Sequence, residues 1–349
     1  MAAKKPQLSL RDLAQHLGLS ISTVSRALAD SAGVNADTKA RVQQAAQELN
    51  YRPNQLAAAL RKGRSQTLGV IVPHIKGYFF PAVINGIEKV ATREGFHVMM
   101  CQSNEDLRRE QRNIEALLAA QVEGILVSVS ATTHPETAHF EQVRKLGTPL
   151  VFFDRVPELT QSMAVILDDF QGAYQAVQHL IEQGCTRIGH LAGPQHLNTS
   201  RNRFLGYRAA LEAHGLPFDE AAVYSLPALT HDAGRLGMQH LLALEPPLDA
   251  MFAAYAIPTV GALEVLHETR RRIPQDVALA CFSNEPFTAM TQPRLTVVDQ
   301  RAEQMGETAV RLFLQLLKRG PTYAPPHLVL KPELIIRGSS LHRSQLALV

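Results

Sequence analysis

The sequence predicts an all-α helix-turn-helix headpiece followed by a two-lobed α/β core built on doubly wound parallel sheets. Three observations carry that prediction. Positive charge is concentrated at the start: residues 1–66 hold 10 Lys and Arg against 4 Asp and Glu, whereas the whole 349-residue chain holds 35 against 32. The first fifty residues are punctuated by helix-capping residues and a glycine turn. From Thr67 onward, short apolar runs alternate with amphipathic stretches. The length allows two or three domains with a sizeable buried core.

In LSLRDLAQHL (8–17), Ser9 is placed to cap a helix whose apolar stripe is Leu10, Leu13, Ala14 and Leu17, with Leu8 and Leu13 spaced as a hydrophobic staple. Gly18 permits a tight turn, and Ser20 is placed to cap a second helix that buries Val24, Ala27 and Leu28. A third helix, starting at Asn35, turns Val42, Ala45, Ala46 and Leu49 inward and closes a miniature core. The second helix of such a motif enters the DNA major groove with its N-terminal residues against base edges. Ile21, Ser22, Ser25 and Arg26 face outward there: a thymine-methyl contact, two hydroxyls and a cation able to bond a guanine or a phosphate. Ser20 and Thr23, on the same first turn, complete the candidate set. The competing reading is a Ser-capped helical hairpin that touches no nucleic acid.

YRPNQLAAALRKGRS (51–65) follows. Pro53 ends the preceding segment, Asn54 is placed to cap a new helix, and Leu56 and Leu60 share a face before Arg61, Lys62 and Arg64. A helix of about seven residues is too short to be stable alone in water and needs a partner. Leucines flanked by cations are the composition of a minor-groove wedge, although a plain helical linker has similar residues.

In the remainder, residues 68–72 (LGVIV), 98–101, 124–129 (GILVSV), 149–153 (PLVFF), 187–192 (RIGHLA), 250–254 (AMFAA) and 277–282 (VALACF) read as buried parallel strands. Helices are expected between them, at 80–94, 107–121, 171–183, 203–214 and 258–271. Ligands of such folds bind outside the strand ends, here in a cleft between two lobes.

Reaction chemistry is not apparent. GxSxG, HExxH and Walker motifs are missing, and VPHIKGYFF stands where a dinucleotide fingerprint would follow the first strand. The 14 histidines show no metal spacing, and Cys101, Cys185 and Cys281 form no CxxC pair, so no metal or cofactor is expected and the thiols read as reduced. Asp168-Asp169 reads as a helix cap rather than a catalytic dyad, and Arg270-Arg271-Arg272 as a dipole-matched helix end. No membrane-length apolar run or signal peptide is visible, so a cytoplasmic location is expected. An exported transport receptor or an enzyme fits less well than a ligand-responsive DNA-binding regulator.

Taken together, LRDLAQHLGLSISTVSRAL, VNADTKARVQQAAQELNYRPNQLAAALRKGRSQTLGVIVP, VEGILV, PLVFFDR, HLIEQGCTRIGHLAGP, RFLGYRAAL, IPQDVALACFSN, LTVVDQ and PELIIRGSS resemble, in order and spacing, the LacI/GalR family of transcription regulators. The resemblance spans essentially the whole chain. It implies a helix-turn-helix DNA-binding domain at 1–53, a hinge helix and linker at 54–66, and a periplasmic-binding-protein-like core at 67–349 for effector binding and dimerisation. It also implies a homodimer on a near-palindromic double-stranded operator, with Ile21, Ser22 and Arg26 at major-groove positions. Asn54, Ala57 and Leu60 fall at hinge positions, Leu60 being the minor-groove leucine. Closure of the lobes on an effector would then set whether the hinge helices form. The tail after Arg337 shows no heptads, so the tetramerising tail of one branch is not apparent.

The same resemblance assigns the effector site to Phe79, Phe80, Asp154 and Arg203, with departures at Tyr78, Tyr255, Ser283 and Asn284. Tyr255-Ala256 replaces the usual Asn-Asp and Phe282-Ser283-Asn284 the usual Phe-Asp-Asp, so two carboxylates common in neutral-sugar pockets are missing. The expected effector is a sugar or sugar derivative. An acid or phosphate suits a pocket in which Arg203 has lost its counter-charges.

Overall fold

A computed structural model describes residues 8–51, 65–157, 163–319 and 327–341. The chain divides into two compact units between Ser65 and Gln66. The hinge positions Asn54, Ala57 and Leu60 lie outside the described residues.

The first unit holds α1 (Leu10–Leu17), α2 (Ile21–Leu28) and α3 (Ala36–Glu48). Each begins on the expected cap. The Asp12 amide donates to Ser9 Oγ at 3.2 Å while the Asp12 carboxylate accepts from the Ser9 amide at 2.8 Å, closing a capping box. Asn35 Oδ1 accepts from the Thr38 amide at 2.8 Å. Gly18, at φ 64°, ends α1 in the left-handed region that favours glycine. Leu13, Ala14, Val24, Ala27, Val42, Ala45 and Ala46 form the core, and Leu10, Leu17, Leu28 and Leu49 pack on it only partly buried.

In the second unit, one lobe is a sheet of β1 (Thr67–Val72), β2 (His97–Gln102), β3 (Gly124–Val127), β4 (Leu150–Phe153), β5 (Ala164–Leu167) and β11 (Leu328–Leu330), ordered β11-β5-β4-β3-β1-β2 with all pairs parallel. The other comprises β6 (Ile188–Ala192), β7 (Val223–Ser225), β8 (Ala250–Ala253), β9 (Ala278–Phe282), β10 (Thr296–Asp299) and β12 (Glu333–Ile335), ordered β12-β10-β9-β8-β6-β7. Only β12 in this second sheet runs antiparallel, against β10. Helices α4 (Phe79–Arg93), α5 (Leu107–Ala119), α6 (Ala138–Lys145), α7 (Asp169–Glu182), α8 (Asn198–Ala213), α9 (His231–Leu242), α10 (Ala256–Glu268) and α11 (Ala302–Arg319) connect and cover the strands. Most strands are apolar throughout because helices bury both faces of the sheet.

Two expectations need correction. The run at 98–101 is not a buried strand: β2 lies at the sheet edge, and Met99 and Met100 are 43% and 45% exposed. The helix expected at 203–214 starts five residues earlier, at Asn198, because its first turn, NTSRN, is polar and carries no apolar period. Helices α6, α9 and α11 and strands β5, β7, β10, β11 and β12 add to the elements that periodicity marks.

The chain crosses between the lobes three times: at Asp168, at residues 300–301 and at residues 331–332. The helices pack backbone to backbone through glycines. A Cβ on Gly86 of α4 would run into the Glu303 carbonyl of α11, and one on Gly306 of α11 into the Val83 carbonyl of α4. Gly234 and Gly261 do the same between α9 and α10.

Candidate nucleic-acid interface and effector cleft

On α2 the capping hydroxyl does more than accept one amide. Ser20 Oγ takes the Thr23 amide at 3.1 Å and lies 2.8 Å from Thr23 Oγ1 and 2.9 Å from Ser22 Oγ, so the three hydroxyls form one local network. Arg26 donates Nε to the Ser22 carbonyl at 3.3 Å, which braces its stem along the helix. Its terminal Nη groups are then the part it presents outward. Ile21, 43% exposed, sits at the helix N-terminus, where the dipole favours negative charge. Val24 and Ala27 point the other way, into the core. The face carrying Ile21, Ser22, Ser25 and Arg26 is therefore distinct from the packing face.

In the second unit, the ends of β4, β8 and β9 and the starts of α4, α8 and α10 converge on a cavity between the lobes. Phe79, Phe80, Asp154, Arg203, Tyr255 and Ser283 line it together. Tyr78 and Asn284 do not; they line a neighbouring groove. Asn284 is held there by Asp299 at 2.9 Å and by Arg337 at 2.9 Å.

Arg203 is fully buried and donates Nε to Asp169 at 2.8 Å and Nη1 to the Ala254 carbonyl at 2.7 Å. Its guanidinium lies 3.8 Å from the Phe282 ring centroid and 4.8 Å from that of Tyr255. One expectation is half met here and another falls. Asp168 caps α7, accepting the Gln171 amide at 3.0 Å, but Asp169 turns inward as the counter-ion of Arg203. Arg203 is therefore not an unpaired cation, and the argument for an anionic effector loses its premise. Burial pushes the Asp169 carboxyl up, to about 7, against the lowering influence of Arg203. Asp154 is raised too, again mainly by burial, and sits at φ 59° in the left-handed region.

Arg155 is the residue that sequence reasoning missed, although it follows Asp154 directly in PLVFFDR. Its Nη1 bonds both carboxylate oxygens of Glu105, at 2.9 and 2.8 Å. Glu105 is positioned by two successive left-handed residues, Asn104 at φ 55° and Glu105 itself at φ 60°. Glu105 Oε2 also accepts the Ala131 amide at 2.7 Å, and the Ala131 carbonyl lies 2.7 Å from His196 Nε2 of the other lobe. Tyr255 also lines the cavity, its hydroxyl 2.6 Å from Ser200 Oγ and 3.1 Å from Thr199 Oγ1. With both arginines paired, the further charges on the described lining are Lys76, Asp154 and Glu285. The site suits a ligand without net negative charge, which it can meet with carboxylates, guanidinium edges, hydroxyls and aromatic faces.

The chain is similar to known proteins along nearly its whole length. Residues 9–54 match the model for bacterial regulatory proteins of the lacI family, and residues 177–340 match that of a periplasmic-binding-protein-like domain. The HTH-type transcriptional repressor CytR of Escherichia coli K12 is 32% identical over 342 residues, covering 97% of this chain and 99% of that protein. The structure of the transcriptional regulator CelR in complex with cellobiose is 31% identical at a TM-score of 0.72, covering 95% of this chain and all of that one. The Lac repressor dimer bound to operator and the anti-inducer ONPF shares the fold at a TM-score of 0.84, with 23% identity, 97% of this chain and 100% of that one covered. The chain belongs to the lacI family of bacterial regulatory proteins.

Proposed function

We propose that this regulator is a sequence-specific repressor that binds a near-palindromic operator as a homodimer and is controlled by a sugar or sugar derivative without net negative charge between its core lobes. Residues 1–53 bind DNA, with Ile21, Ser22, Ser25 and Arg26 reading the major groove and Ser20 and Thr23 at the phosphates. Residues 54–66 act as the hinge, through Asn54, Ala57 and Leu60. Residues 67–349 bind effector and dimerise. The effector contacts are Phe79, Phe80, Asp154, Arg155, Arg203, Tyr255 and Ser283. The observation that carries the DNA assignment is the outward, small-polar and cationic face of α2 at a helix N-terminus, opposite its packing face. Support for a sugar comes from the cellobiose in the CelR complex and from the arginine–carboxylate pairing around the cavity. As a DNA-binding repressor the protein acts in the cytoplasm, where its operator is found.

The test is selection of duplexes from a randomised pool, followed by anisotropy titration of the selected site. Arg26→Ala should weaken specific binding by roughly 5- to 150-fold, the 1–3 kcal/mol of a base contact, and relax preference at one base pair. Leu60→Ser should weaken binding and blunt the effector response. Selection of the same site with unchanged affinity by an Ile21→Ala, Ser22→Ala, Arg26→Ala triple variant would refute the reading of α2.

A further inference from the structure

The cavity between the lobes is small. Its volume is about 70 Å³, well below the roughly 300–1,000 Å³ of ordinary small-molecule sites. Beside it lies a groove of about 780 Å³, within the range of small-molecule sites, formed by the first turns of α4 and α11 and the loop after β9. Phe79, Ser283, Glu285 and Gln300 line both spaces, so they form a shared wall. That wall is built from unusual backbone. Gly77 takes φ 77°, and a Cβ there would lie 3.0 Å from the Glu285 carboxylate. Ser283 takes φ 140°, a region that residues with side chains rarely adopt. Glu285 Oε1 accepts the Tyr78 amide at 3.3 Å, and burial holds its carboxyl above the ordinary glutamate range.

The groove's own surface has a consistent chemistry. Tyr78, 49% exposed, and Phe79 offer aromatic faces. Asn85 and Gln304 offer planar amides from the two helices. Lys89 and Arg301 stand against Asp299, Glu285, Glu303 and Glu307, so the lining is acidic on balance. Lys89 is moreover already paired, at 2.8 Å, with both Glu303 and Glu307. Such a surface repels phosphates and carboxylates. Its carboxylates and amides bond hydroxyl groups, and its rings stack on the C–H faces of pyranoses.

We infer that the groove is a second effector subsite and that the effector is a neutral saccharide of at least two rings, one between the lobes and the next in the groove beyond Glu285 and Ser283. This rests on the sugar-effector reading above. Parting the lobes at the shared wall joins the two spaces into one site.

Calorimetric titration of the full chain with matched probes tests it: glucose against cellobiose, galactose against lactose, and glucose against maltose. In at least one pair the disaccharide should bind about tenfold or more tightly than its monosaccharide. The double variant Asn85→Ala, Gln304→Ala should lower disaccharide affinity by about tenfold, as expected for two lost hydrogen bonds, and leave the monosaccharide unchanged. Both residues are exposed on helices, where alanine is well tolerated. A second variant, Gln304→Trp, fills the groove from the same exposed position and should act alike. Equal affinities within every pair, or disaccharide binding indifferent to both variants, would overturn the second subsite while leaving the sugar reading intact. No binding by any of these sugars would overturn both.

Discussion

The buried Arg203–Asp169 pair predicts two substitutions of unequal cost. The partners are 2% and 1% exposed and 2.8 Å apart, so removing either strands a charge away from water. Removing one partner of such a pair commonly costs about 3–5 kcal/mol. The stranded groups differ in their escape. A guanidinium cannot shed its proton in a protein, whereas a carboxylate can gain one. Asp169→Leu should therefore show the full cost, lowering the melting temperature of a core this size by about 6–20 °C at about 2–4 °C per kcal/mol.

Arg203→Met should cost less near neutral pH, and its cost should grow with pH. Burial already raises the Asp169 carboxyl to about 7, and loss of Arg203 removes the influence that lowers it. A folded value above the unfolded one means that the stability from protonation is complete below about pH 3.8. It is lost as pH rises through the folded value, at up to about 1.4 kcal/mol per unit. Urea unfolding followed by circular dichroism at pH 5.5, 7 and 8.5 measures this, the chain having no tryptophan to report by fluorescence. Equal costs with equal pH slopes for the two variants, or an Asp169→Leu protein within 1 kcal/mol of the parent, would refute the charge argument.

Other outcomes follow from the same structure. Ser20→Ala should destabilise α2 by about 1 kcal/mol, because it removes the cap and the anchor of the Ser22 and Thr23 hydroxyls; amide hydrogen exchange of the headpiece reads this. Gly306→Ala should cost about 1–3 kcal/mol by forcing α4 and α11 apart, seen as a lowered melting temperature. His190 is buried against Phe252 and Tyr207, and burial pushes its imidazole down to about 4. Its depressed value means stability that is present above about pH 6.5 and is lost as pH falls towards 4, so acid unfolding should come at higher pH than in His190→Phe. Overlapping acid titrations would contradict that. Glu105→Gln should remove the nearer of Arg155's two carboxylate neighbours and shift calorimetric selectivity towards a sugar acid over its neutral parent.

The headpiece was legible residue by residue because its signals are local. Caps, turn and stripe all lie within one or two helical turns, and Ser9, Ser20 and Asn35 cap where spacing places them. The strand order and the exposure of β2 were not legible, since Met99 and Met100 look as apolar as any buried strand and only topology puts them at an edge. The cleft was half legible. Successive residues at a helix start point about 100° apart, so Asp168 turns to cap α7 while Asp169 turns inward. The partner of Asp169 is 34 positions away, beyond any periodicity. The premise of an unpaired Arg203 failed for this reason: the counter-charge came from a position outside the compared motifs.

On α2 the buried residues that hold the fold and the proposed base-reading residues share no position; the cap Ser20 alone serves both the helix and the proposed DNA contact. Val24 and Ala27 are sealed in a core made largely of alanine, while Ile21, Ser22 and Arg26 are exposed. Changes at the latter are nearly free of stability cost, since exposed substitutions away from special features usually alter stability by less than about 0.5 kcal/mol. Operator preference and foldability are thus separable variables in this headpiece. A duplicated copy could drift to a new operator through single exposed substitutions without passing through an unfolded intermediate, and an engineer could retarget it by the same route.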